Sequence, residues 1–207
     1  MLFRGHITST EQSRDMKDSI AQATRAADAM EKFAKAATIG SQAAELSVVR
    51  ITQQMRAYLS VRIDQAIYQD RASNLRFEVR PMLINTGLTP AKKVGYAAKA
   101  DVLPFPLADD FVFPPLEESR SAFGLLAPQQ NFSMNKAVDR DFYDDGEVEG
   151  IKRGNGRRLY IWGRVTYEDV FGEQKYTDFA HNIIWIPFKD GSERIFGNYV
   201  DRHNEAT

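Results

Sequence analysis

Few side chains in this sequence are of the kind that make or break covalent bonds. Histidine occurs only as His6, His181 and His203, and there is no cysteine. The lack of cysteine removes thiol nucleophiles, disulfides and Cys-ligated zinc together, although it fixes no compartment. His181 shares the face of a strand-like segment with Thr177, Phe179, Ile183 and Trp185, which predicts a core or edge histidine held by hydrogen bonds. Acyl transfer would need a serine and an acid converging on it, and no G-x-S-x-G nucleophile elbow is present. The sequence therefore predicts no catalytic residue, no cofactor and no enzyme.

Two charged clusters could hold ions. Asp139, Asp141, Asp144, Asp145, Glu147 and Glu149 form an acidic run of the oxygen-ligand type that Ca²⁺ prefers. Tyr143 and Asp144, however, stand where an EF-hand loop needs a ligand and then glycine, so the run reads as a solvated loop or a short helical turn. Immediately after it, Gly150, Gly154 and Gly156 are interleaved with Lys152, Arg153, Arg157 and Arg158. That stretch has the look of a phosphate cradle but lacks the Gly-Lys-Ser/Thr ending and leads into a strand rather than a helix. It reads as a glycine turn with flanking cations; the alternative is a contact for an anionic surface, phospholipid or nucleic acid. Tyr160, Trp162 and Arg164 then share the outer face of the next strand. They form a partner-binding face, or are covered by the proline-rich excursion from Leu103 to Leu116.

Composition narrows the partners. The 207 residues carry a formal net charge of -1, which argues against nucleic acid as the main ligand because phosphate binding needs a concentrated positive field. A membrane surface stays open. Hydrophobic content of 43% with 27% charged residues is that of a folded globular chain. No run of about 18 apolar residues exists to span a bilayer, and the first residues lack the apolar core of a secretory signal. Those absences point to the cytoplasm, with association to the cell envelope as the alternative.

The elements that must position these residues change character near Arg56. From Met16 to Met55 apolar and small residues recur in steps of three and four, the period of a helix face. Written as heptads, Ile20, Ala27, Ala34, Ser41, Val48 and Met55 take position a, while Ala23, Met30, Ala37, Ala44 and Ile51 take d. A helix over this span is roughly 60 Å long, longer than a small domain is wide, so its seam needs cover. Ile20, Ala27, Met30, Ala34, Ala37, Ala44, Val48 and Ile51 are the candidate association residues, for self-association or a partner helix, as against folding back on the chain's own domain. Ala36, Ile39, Ala43 and Leu46 form a second apolar stripe, and Gly40 interrupts the middle. Thr8 with Glu11 fits a capping box, placing the helix start near Ser9.

After Arg56 the chain breaks into short β-branched and aromatic runs punctuated by Gly, Pro and Asn. Strands are predicted from Arg56 to Ile63, Leu75 to Asn85, Val94 to Val102 and near Asn131 to Ala137. A hairpin follows, its arms running from Leu159 to Glu168 and Lys175 to Pro187 across a Phe171-Gly172-Glu173 turn. The fold class is α+β by content: a long N-terminal α-helix followed by an antiparallel immunoglobulin-like β-sandwich. The expected divisions are a helical stalk over 1–55, the sandwich over 56–200 and a polar tail over 201–207.

Several of these pieces together, Arg56-Ala57-Tyr58-Leu59, Asn85-Thr86-Gly87 with Thr89-Pro90-Ala91, and the hairpin with Tyr167-Glu168-Asp169-Val170-Phe171-Gly172 and Thr177-Asp178-Phe179, form a pattern. The pattern resembles a family of uncharacterised bacterial proteins in which a helical stalk, usually anchored by a membrane-spanning helix, precedes an immunoglobulin-like β-domain. The resemblance covers residues 56 to 187 and implies architecture without catalytic residues. With the rest of the sequence it predicts a non-enzymatic structural or adaptor protein, assembling through its helix and presenting the sandwich for protein contacts. The alternative function is a module that recognises an anionic surface through the basic turn and the aromatic strand face.

Overall fold

A computed structural model of the chain describes residues 4–117, 120–139 and 142–207 and divides into two compact units, Met1–Gln53 and Gln54–Thr207. The first is a single helix, α1, Arg4–Gln54, of 51 residues, about 76 Å long at 1.5 Å per residue. It begins before Ser9, so the expected start falls inside it. Nothing lies within 4 Å of a Cβ built at Gly40, and the helix passes through that residue unbroken. The hydroxyls of Thr24, Thr38, Ser47 and Thr52 each donate to the carbonyl four residues earlier, at 2.8–3.0 Å, which satisfies them within their own helix.

The second unit is a two-layer antiparallel β-structure. Its first layer holds β1 (Leu59–Ile67) against β2 (Glu78–Asn85). The region expected as one strand near Asn131 splits into two short ones, β5 (Asn131–Ser133) and β6 (Lys136–Ala137), both on β2. The second layer has the order β4-β3-β7-β8-β9. It comprises β3 (Ala91–Pro104), β4 (Arg120–Leu126), β7 (Arg157–Glu168), β8 (Gln174–Pro187) and β9 (Glu193–Tyr199). Two of these, β4 and β9, are edge strands that the sequence did not announce. Between β6 and β7 the acidic run becomes a helix of nine residues, α2 (Asp145–Arg153).

Alternation explains the layering. Val61, Val79 and Leu83 of the first sheet meet Val94, Leu159, Ile161, Val165, Phe179 and Ile183 of the second in one core, each buried side chain worth roughly 1.5–3 kcal/mol. Val148 and Ile151 of α2 join this core, as does Tyr143, whose ring meets Phe77 edge-on at 6.0 Å. The opposite face of β7 carries Tyr160 and Trp162, which are covered by Phe105, Leu107, Phe111, Phe113 and Leu116. With both faces of β7 buried, polar residues are scarce along its centre. The last residues also follow the sheet: the Asp178 backbone N–H donates to the Glu205 carbonyl at 2.7 Å, and the Thr207 N–H to that of Tyr176 at 3.1 Å.

Candidate functional site

The seam of α1 is its most distinctive surface. Ile20 is 61% exposed, Met30 74%, Val48 63% and Ile51 54%, and Ala27, Ala34, Ala37 and Ala44 between them are exposed as well. Ile39 and Leu46, on the other side of the helix, are equally bare. Every residue from Glu11 to Ile51 falls in the exposed class. A helix in water normally draws most of its stability from burying one face, and this one has two to bury.

The four cations of the glycine turn are not assembled into a cradle. Lys152 is buried, bonded to Glu193 at 2.9 Å and set 4.2 Å from the centre of the Tyr68 ring. Burial opposes its charge, but Glu193 and Glu149 outweigh that and hold its pKa above the ordinary lysine value. Arg153 pairs with Glu149 at 3.6 Å, and Arg157 with Glu147 at 3.7 Å. Arg158 stacks on Phe105 at 3.6 Å and donates to Asn182 Oδ1 at 3.0 Å; burial lowers its pKa. The turn is the end of α2: Gly154 adopts φ 74°, Asn155 N–H donates to Gly150 O at 2.9 Å and Gly154 N–H to Ile151 O at 3.1 Å. This is a Schellman-type stop. Each of the four cations thus has a partner within the unit, Lys152 and Arg158 in buried or half-buried contacts and Arg153 and Arg157 in longer pairs of more exposed side chains.

Of the two readings for the aromatic face, the structure gives cover. Trp162 is 1% exposed and Tyr160 2%. Phe113 stacks on Trp162 with centroids 5.2 Å apart, and the indole Nε1–H donates to the Pro114 carbonyl at 3.0 Å. Arg202 donates to the carbonyls of Ala108, Asp109 and Phe111 at 2.9–3.1 Å, tying the excursion down. Arg164 is engaged in a two-point pair with Asp178 at 2.6 and 2.7 Å, which raises its pKa. Tyr160 and Trp162 are therefore covered by the chain itself, whereas Arg164 stays exposed beside them.

His181 is buried as expected but not hydrogen-bonded as expected. Neither ring nitrogen has a partner, and the ring packs on Tyr199 at 4.4 Å. Burial drops its pKa to about 4. In the acidic run, Asp144 precedes α2 with its N–H donating to the Glu147 carboxylate at 3.4 Å, and Asp139 pairs with Lys136 at 3.3 Å. Asp141 lies outside the described residues. Among the described residues no group of three or more His, Asp or Glu side chains is placed to hold a metal ion.

One constellation was not foreseen. Asp169 is fully buried in the β7–β8 turn, where its Oδ1 accepts from the N–H groups of Phe171 and Glu173 at 2.9 Å each. Arg56 reaches its other oxygen at 3.4 Å and Glu173 at 2.8 Å. Tyr167 Oη donates to Ala57 O at 3.2 Å, Thr177 Oγ1 to Leu59 O at 2.9 Å and Thr86 N–H to Tyr58 O at 2.8 Å. A Cβ at Gly87 would collide with the Arg56–Ala57–Tyr58 backbone. These contacts clasp residues 56–59, the first of the β-unit. The segments involved are those that carry the resemblance described above, which was the available signal.

No protein-family model and no curated protein matches the chain. Among the described residues no helix is long and apolar enough to cross a membrane.

Proposed function

We propose that this protein is a non-enzymatic structural or adaptor protein that assembles through coiled-coil contacts of α1 and uses its β-unit, an immunoglobulin-like platform, for contacts with other proteins. The likeness to stalked bacterial β-domain proteins belongs to the same reading. The observation that carries it is the bare seam of α1: Ile20, Met30, Val48 and Ile51 are all more than half exposed along one line of a 51-residue helix. Leaving such a line in water forfeits the burial that stabilises helices. The β-unit offers the contrast, since its candidate cations and aromatic side chains already have partners within the unit.

Light scattering on the size-exclusion eluate tests the reading. The native chain is expected to elute as a multiple of 23.5 kDa, and Met30→Glu/Val48→Glu as a single chain with its β-sheet dichroism intact. Equal single-chain masses for both would refute it.

A further inference from the structure

Which residues face each other across the seam is legible from their sizes and charges. If two copies lay parallel and in register, every layer would pair a residue with itself. Ala34, Ala37, Ser41 and Ala44 would make four successive thin layers, between thick ones at Met30 and at Val48 and Ile51. Helices of constant radius cannot close both kinds of layer at one separation. Positions flanking such a seam would also bring no opposite charges together.

Running the second copy the other way lessens the mismatch. In the register where paired positions sum to 64, Ile20 faces Ala44 of the second copy, Met30 faces Ala34, Ile51 faces Ser13 and Ala23 faces Ser41. Large meets small in three of the six distinct layers. Met16 with Val48 stays thick and Ala23 with Ser41 and Ala27 with Ala37 stay thin, but no run of four thin layers remains, and the overlap covers nearly the full length of α1. On one flank Lys17 comes beside Glu45 of the second copy, twice by symmetry, and Thr24 beside Thr38, whose hydroxyls are already bonded within their own helices. On the other flank Phe33 meets its own counterpart, and Gly40 comes next to Ala26. The single like-charged meeting, Glu31 with Glu31, is offset because each Glu31 is held by Lys35 of its own helix at 2.6 Å. Between Glu11 and Arg50 acidic and basic residues are equal in number, so a second copy meets no net repulsion.

Resting on the assembly reading above, we infer that α1 pairs with a second copy of this chain in an antiparallel coiled coil centred near Lys32 and Phe33. Each copy's Gln54, where its β-unit begins, then lies at the opposite end of the pair from the other's. Ile39 and Leu46 face away from the seam in this arrangement.

The absence of native cysteine makes the test direct. A size-tagged Ala23→Cys chain and an untagged Ser41→Cys chain are co-expressed at full length and mildly oxidised, alongside each variant alone. The antiparallel pair predicts a disulfide-linked heterodimer exceeding either homodimer by roughly tenfold or more, since the facing thiols are held at high effective concentration. Two Ala23→Cys thiols would sit about 27 Å apart and stay unlinked. Homodimers forming as readily as heterodimers would overturn the antiparallel arrangement while leaving assembly standing. A single-chain mass for the native protein, with no linkage in any combination, would overturn both.

Discussion

His181 shows what burial does to a titratable group that has little to support its charge. Its ring nitrogens lack partners, burial pulls its pKa to about 4 from the usual 6.5, and the nearby Val61 carbonyl opposes that only in part. In the unfolded chain the imidazole takes a proton below about pH 6.5, whereas in the folded one it stays neutral until about pH 4. Its neutrality is therefore free above pH 6.5, and stability falls as pH drops between those limits, by on the order of 2–3 kcal/mol. Urea midpoints at pH 7.5 and 4.5 are expected to show this loss in the native protein, and a smaller one in His181→Phe, which keeps the stacking on Tyr199. Parallel profiles would contradict the assignment. Asp169 is the opposite case, a buried carboxylate held by two turn N–H groups and by Arg56. Asp169→Ala orphans two turn N–H groups and removes the Arg56 contact, with an expected cost of roughly 3 kcal/mol in urea unfolding.

At the scale of elements, the excursion behaves as a lid that belongs to the sheet. Phe113→Ala removes the ring stacked on Trp162. In a Trp185→Phe background, where Trp162 alone fluoresces, its emission is expected to shift to the red, with roughly 2 kcal/mol lost. An unshifted spectrum would mean that the rest of the excursion suffices as cover. The elements legible in the sequence were those with a strong period: α1 through its three-and-four spacing, and β7 with β8 through alternation and a glycine turn. Edge strand β9 was invisible because its residues are mostly exposed on both faces, so no apolar alternation marks it. Helix α2 buries only Val148, Ile151 and Lys152, too few for a periodic signal in nine residues. In the basic turn Glu149 and Glu147 stand near Arg153 and Arg157 in sequence, but Lys152 and Arg158 also engage distant partners, Glu193 and Asn182. No local window reveals that such cations are already paired.

At the scale of the whole molecule, the two units differ in how complete they are. The β-unit encloses Tyr160, Trp162, Tyr167 and Trp185, ends α2 in a Schellman-type stop and clasps residues near its own start through Arg56, Asp169 and Gly87. Helix α1 leaves its large apolar residues bare from Met16 to Ile51. The account rests on that line of side chains being covered in solution by another helix. Sedimentation equilibrium of the native chain across a dilution series, up to about 100 μM to populate even a weak pair, addresses it most directly. The account predicts an average mass that climbs with concentration from 23.5 kDa towards at least twice that value. A mass fixed at one chain throughout the series would contradict it.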